Sequence, residues 1–241
     1  MNSSKENNLL FLDTETTGNE AGVDRLFQVA YKDNDGFHVE YFTPPLPISV
    51  KAQSITHVTN DDIAGKPPFI GSEYANTLQE KLKGGVLIAH NAQFDIGMLK
   101  TEGIEVPRHI CTLKLARFLD EAEEIPEYNL QFLRYYFALR IRAMPHDAEG
   151  DVTVLEKVFE KLREIWQGKF GAKSDIEKMV EMSAKPLLMR RINFGKHAGK
   201  TVEEVARIDA SYLFWLLGEK KKKPAGEEDW IYTLEYYLIG K

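Results

Sequence analysis

At 241 residues with 43% hydrophobic content, the chain has room for one α/β core plus a small appendage, and its composition excludes a disordered or fibrous protein. A single cysteine, Cys111, excludes an intramolecular disulfide and a cysteine-built zinc site. The net charge of -6 argues against a general polyanion binder but is unevenly spread: residues 1–168 hold 17 Lys and Arg against 26 Asp and Glu, and residues 169–241 hold 14 against 11. The polar residues 1–8 are unlike a secretory leader, and the apolar run 212–217 is too short to span a bilayer. A reduced, cytoplasmic setting with no membrane partner is expected.

Alternation and apolar runs predict strands over about 9–13, 27–32 and 37–42, the last two joined by the turn-like Asp33-Asn34-Asp35-Gly36. After Pro44-Pro45-Leu46-Pro47 come short helical pieces and a helix over about 69–82 that Gly84-Gly85 stops. Residues 86–89 then read as a buried strand. Helices are expected over 93–102, 112–122, 129–138 and 148–166, with a short strand near 108–111. Strands first, then β and α in alternation, indicate an α/β domain with a mixed sheet flanked by helices. Periodicity lapses over 167–174, which reads as a linker, so a domain over 1–168 is expected to be followed by a small α+β appendage over 169–241. Ser174 with Glu177, and Thr201 with Glu204, fit capping boxes; Leu187 to Phe194 reads as a strand, and Lys220 to Lys223 as a solvated loop.

Four acidic residues, at three places in the chain, carry the chemistry. Asp13 and Glu15 leave the apolar run Leu9 to Leu12 on one face, with Thr14 pointing the other way and Gly18 allowing a tight exit. Two adjacent carboxylates repel unless a divalent cation lies between them, and hard oxygen ligands suit Mg²⁺ or Mn²⁺. Taken alone, such a pair is more often a solvated strand end. Asp95 starts a helix directly after the buried strand and shares its inward face with Met98 and Leu99, where an unpartnered carboxylate is costly. Asp151 continues the stripe Leu155, Val158, Leu162, Ile165 toward the core. Asp147 and Glu149 read as an N-cap and a first-turn acid that favour the helix dipole, whereas His146, beside an inward aspartate, suits a proton acceptor.

Together, Asp13-x-Glu15, Asn91-x-x-Phe94-Asp95, and His146 separated by four residues from Asp151 resemble the DEDDh class of 3′-to-5′ exonucleases, the proofreading-subunit type of ribonuclease H-like fold, over about residues 8–168. Phe27-Gln28-Val29-Ala30, Ile55-Thr56-His57-Val58-Thr59 and Cys111-Thr112-Leu113 match as supporting positions. The resemblance implies two-metal phosphodiester hydrolysis with two Mg²⁺ or Mn²⁺ ions. Asp13, Glu15 and Asp151 would bind one metal, Asp13 would share the second, and Asp95 would act largely through bound water. His146 would be the general base; Thr16, His57, Asn91 and Phe94 would hold the terminal nucleotide, and nucleoside 5′-monophosphates would be released. DNA 3′ ends are the expected partner. An RNA-degrading enzyme of the same fold and a catalytically silent nucleic-acid-binding scaffold are the alternatives, and no polymerase or repair partner is indicated.

The segment Ile192 to Lys200, followed by Val205, Asp209, Tyr212-Leu213 and Trp215-Leu216-Leu217, resembles the C-terminal part of exonuclease X-like enzymes. Tyr212, Trp215 and Leu216 read as the core of a small packing module. Residues 185–200 carry five Lys or Arg and no acid. Arg190, Arg191, Lys196 and Lys200 are therefore expected to supply the positive surface that the acidic half lacks.

Overall fold

The computed structural model describes residues 8–141, 148–173, 175–224 and 226–240. Three strands open the chain, β1 (Asn8–Thr16), β2 (Leu26–Asp33) and β3 (Gly36–Tyr41), forming an antiparallel meander. Its second turn ends on Gly36, whose φ of 122° excludes most side chains. Helices α1 (Val50–Thr56) and α2 (Glu73–Gly84) follow, each N-capped by a serine, Ser49 and Ser72. Strand β4 (Gly85–Ala89), helix α3 (Gln93–Thr101), strand β5 (His109–Cys111) and helix α4 (Thr112–Leu119) then build the parallel half of the sheet. Helices α5 (Leu130–Tyr136), α6 (Ala148–Phe170) and α7 (Asp175–Ser183) follow.

The strand order is β3-β2-β1-β4-β5, with β1 antiparallel to β2 and parallel to β4. Side chains alternate across the sheet, and each face acquires its own core. Leu10, Leu12, Leu87 and Ala89 pack with Leu78, Leu82, Met98 and Leu99 of α2 and α3. Phe11, Val86 and Ile88 pack with Leu115, Leu133, Leu155 and Val158 of α4, α5 and α6. This is a three-layer arrangement, helices on both faces of a mixed sheet.

The chain divides into two compact units, Met1–Ala184 and Lys185–Lys241. The expected 168/169 boundary falls inside α6, which continues to Phe170. Segment 175–183 belongs to the first unit because Ile176 and Met179 enter its core and Asp175 pairs with Arg163 at 2.6 Å. Ser174 lies outside the described residues, as does the capping it was expected to provide.

The second unit holds α8 (Val202–Ile208), α9 (Ala210–Lys222) and α10 (Glu228–Ile239) around Ile192, Val202, Val205, Leu213, Leu216, Leu217 and Leu234. Thr201 caps α8 by accepting from the Glu204 N–H, as the capping pattern predicts. The strand expected over Leu187 to Phe194 is reduced to a single bridge between Arg191 and Thr201. Its amides are taken elsewhere: the Leu187 N–H donates to Asp229 and the Met189 N–H to Thr233, both on α10. Lys220 to Lys222, expected in a loop, form the last turn of α9, where cations suit the negative end of the helix. Among the described residues, no helix is long and apolar enough to cross a membrane.

Candidate active site

Parity along β1 positions the first two acids. Phe11 faces α6, so Asp13 and Glu15 emerge on that same face, beyond the last β4 pairing at Phe11 and Ile88. They project at the carboxyl edge of the parallel strands, where open α/β sheets form their crevices. A register shift between Glu15 and Thr16 re-aims the strand end at this point. Asp151, buried in the first turn of α6, arrives from the helix covering that face. Carboxylate oxygens of Asp13, Glu15 and Asp151 all lie within 4.8 Å of one another.

Such crowding is electrostatically costly. Burial, then the negative charges of Asp95, Glu15 and Asp151, hold the Asp13 carboxyl well above the usual carboxylate range. The donor set fits a hard divalent cation: three converging carboxylates, all oxygen, whose mutual repulsion a cation removes.

Asp95 enters from the opposite layer. It lies in the first turn of α3, nearly fully buried, and its Oδ1 accepts a hydrogen bond of 2.8 Å from the Thr14 hydroxyl. The same alternation explains that bond: Thr14 points away from Asp13 and Glu15, toward α2 and α3, and there meets the acid that α3 carries. Burial pushes the Asp95 carboxyl up, and the Thr14 hydrogen bond partly offsets this. On the other side, Gln131 of α5 donates from Nε2 to Asp151 Oδ1 at 2.8 Å, and its own Oε1 accepts from Arg134 Nη1 at 3.1 Å. Neither Thr14 nor Gln131 was singled out from sequence. Thr14 could have been, since a buried aspartate requires a donor and the alternate face of β1 supplies one; α5 carried no comparable signal.

His146 and Asp147 lie outside the described residues. Glu149 is exposed in the first turn of α6, where a structural acid belongs. Beside Glu15 lies a pocket of about 220 Å³, which brings Thr16 and Phe94 together with Lys51, Ile55 and Asn19. His57 and Asn91 do not line it; both are exposed with positive φ, His57 as the C-cap of α1. Lys51 was missed because a seven-residue helix leaves little periodicity to read, whereas Ile55 entered only as a supporting position of the resemblance. Gly18 lines the same pocket and also makes room for a side chain: a Cβ there would fall 2.5 Å from the Asp24 carboxylate. That carboxylate accepts from the Thr17 hydroxyl and the Glu20 N–H and so secures the turn.

In the second unit, Lys196 pairs with Asp209 at 2.6 Å, Lys200 lies 3.6 Å from Glu204, and Arg191 donates to the Gly199 carbonyl. Arg190, beside it, precedes the bridge of Arg191 with Thr201. Leu216 is buried as expected and Tyr212 is half-buried, but Trp215 is 57% exposed. The expectation that Trp215 belongs to the core fails because α9 turns Leu213, Leu216 and Leu217 inward and leaves Trp215 on the far side.

A family model described as Exonuclease matches residues 10–159, which include Asp13, Glu15, Asp95, His146 and Asp151. The chain belongs to the exonuclease family. A second model, described as Exodeoxyribonuclease X-like C-terminal, matches residues 192–221. Exodeoxyribonuclease 10 of Escherichia coli K12 is 30% identical over 226 residues, covering 86% of this chain and 90% of its own. DNA polymerase III subunit epsilon of Treponema pallidum is 31% identical, covering 61% of this chain and 72% of its own. Among solved structures, Exonuclease X in complex with 5′ overhanging duplex DNA aligns with a TM-score of 0.55 at 26% identity, over 73% of this exonuclease and 99% of that chain. Exonuclease I of E. coli in complex with a dT13 oligonucleotide aligns with a TM-score of 0.58 over 68% and 42%, but at 20% identity it shows the fold alone.

Proposed function

We propose that this exonuclease hydrolyses DNA from the 3′ end, releasing nucleoside 5′-monophosphates with the help of two divalent cations, Mg²⁺ or Mn²⁺. The convergence of Asp13, Glu15 and Asp151 within 4.8 Å supports this reading most directly. Those three residues would hold one cation, Asp13 would share the second, and Asp95, secured by Thr14, would contribute through water. Bound there, the cations supply charge stabilisation to the attacking and leaving oxygens of the phosphodiester.

The chain's own residues do the rest. His146 takes the proton from the attacking water, a role that suits an imidazole near neutral pH. The pocket beside Glu15 receives the terminal nucleotide against Thr16 and Phe94, with Ile55 on its apolar side and Lys51 available to a phosphate. His57 and Asn91, at the left-handed positions that flank this region in sequence, serve as outer contacts to the strand. DNA is preferred as substrate because the relatives that cover nearly their whole length here are named for exodeoxyribonuclease activity or solved with DNA. Release of mononucleotides from matched 3′-labelled DNA and RNA oligonucleotides, with Mg²⁺ and with excess chelator, tests the proposal. Faster release from RNA would make the protein an exoribonuclease, and undiminished release in chelator would refute the metal mechanism.

A further inference from the structure

Helix α9 is apolar on two sides. Leu213, Leu216 and Leu217 fill the core of the second unit, which is the stripe a surface helix needs. Ser211, Phe214, Trp215, Gly218 and Lys222 share the opposite face, at helical spacings of three and four, and all five are exposed. Phe214 is 56% and Trp215 57% accessible, on a face where polar residues would be expected. Gly218 lies one turn beyond Trp215, and a Cβ placed there would meet nothing within 4 Å. A glycine inside a helix costs about 1 kcal/mol relative to alanine; here no packing requires it, and it leaves the surface beside the indole flat and open.

The same face runs into aromatic and cationic groups. The Tyr212 ring lies 5.6 Å from that of Trp215, tilted by 38°, and the Lys196 ammonium stands 5.1 Å from the Tyr212 centroid. Lys222 ends the stripe, paired on the surface with Glu219 at i, i+3, an interaction that a phosphate readily replaces. Residues 185–241 carry 11 Lys and Arg against 8 Asp and Glu, in a chain that is otherwise acidic. Aromatic faces interleaved with lysines are the chemistry that binds unpaired nucleic-acid strands, because every base offers a π-face and every linkage a negative charge.

We infer that the exposed face of α9 in the second unit, with Trp215 and Phe214 at its centre and Lys196 and Lys222 at its ends, is a stacking platform for single-stranded nucleic acid. It binds bases without reading their identity, since among the described residues no buried hydrogen-bonding side chain lies on that face. The inference rests on the proposed nuclease function for its choice of occupant over a protein.

The full-length protein in chelator, so that no strand is consumed, would be titrated with oligo-dT and with an all-abasic deoxyribose-phosphate strand of equal length. Trp166 is buried and Trp230 packs on Phe194, so quenching of tryptophan emission by oligo-dT would report Trp215. Trp215→Ala should remove that quenching and weaken oligo-dT binding by about 5- to 150-fold, the range of one base stacked on an aromatic, while leaving affinity for the abasic strand as it was. Trp215→Phe should retain most of the affinity. Equal affinity of Trp215→Ala and wild type for oligo-dT would overturn the platform. So would equal losses on both strands, which would mean a misfolded unit or a purely electrostatic site. A lower oligomeric state or thermal midpoint with unchanged oligo-dT binding would show the face to be covered by protein, and would also overturn it. Mononucleotide release by the wild type from a Mg²⁺-supplied trinucleotide tests the nuclease function separately, so either reading can fail alone.

Discussion

Asp13 is the residue at which function and stability oppose each other most clearly. Its carboxyl is held above the usual range by burial and by three neighbouring acids, so in the metal-free protein it stabilises the fold only while protonated. That contribution is present at low pH and is lost as pH rises through the elevated folded-state value. Asp13→Asn should therefore abolish nucleotide release yet raise the thermal midpoint in chelator at neutral pH; a lower midpoint would show that the three-carboxylate cluster is not repulsive. Thr14 is the complementary test. Replacing it with the near-isosteric valine leaves the buried Asp95 short of a donor, a loss of about 1–3 kcal/mol in stability that Thr14→Ser should largely restore. The same variant should need more Mg²⁺ for half-maximal activity, which a purely structural threonine would not change. His146→Ala should slow turnover by about 10² to 10⁴ with strand affinity little altered; a loss confined to affinity would reassign His146 to substrate contact.

At the scale of elements, β4, α4 and the approach to α5 meet at His90. Its Nε2 donates to the Tyr128 carbonyl at 2.8 Å, and its Nδ1 lies 2.9 Å from the Thr112 hydroxyl, which is itself 3.2 Å from the Ala89 carbonyl. Burial, reinforced by Arg117, brings its pKa from 6.5 down to about 4. The unfolded chain therefore takes up a proton below pH 6.5 that the folded chain refuses until about pH 4. Stability should fall across that window by about 3 kcal/mol at most, and His90→Gln should flatten the dependence in denaturant titrations at pH 4.5 and 7.5. This junction was not legible in the sequence, because its partners are 22 and 38 residues away. The sheet was legible: its strands are apolar or alternating runs, and local pattern suffices where pairing follows it. The four acids Asp13, Glu15, Asp95 and Asp151 were legible for a related reason, since parity on β1 and helical spacing on α3 and α6 specify which way each points. Local pattern failed at 187–194, where strand-like residues satisfy their backbone through side chains of α10, and at α9, where apolar residues on two faces left the inward side undetermined.

Across the whole molecule, the two units differ in charge and in the work they are suited to. Residues 1–184 carry 20 Lys and Arg against 29 Asp and Glu, whereas residues 185–241 are net positive. A phosphodiester approaching the acidic cluster meets repulsion that bound cations only locally relieve, so affinity for the strand must come largely from elsewhere. Ending the chain after Ala184 keeps α7, with Ile176, Met179 and the Arg163–Asp175 pair, and should yield a folded domain that still releases nucleotides. Ending it after residue 168 removes all of these contacts and should lower the thermal midpoint sharply, which separates loss of fold from loss of binding. The 1–184 domain should bind single strands more weakly, and the dependence of log affinity on log salt should flatten by about 0.7 for each phosphate contact removed. Neutralising Arg190, Arg191, Lys196 and Lys200 together in the full chain is the milder version. Lys196 and Lys200 are already paired with Asp209 and Glu204 on the surface, pairs of small net value that a phosphate exchanges at little cost. An unchanged salt slope in that four-charge variant, alongside weaker binding by the 1–184 domain, would assign the second unit's contribution to the aromatic face of α9 rather than to its charge.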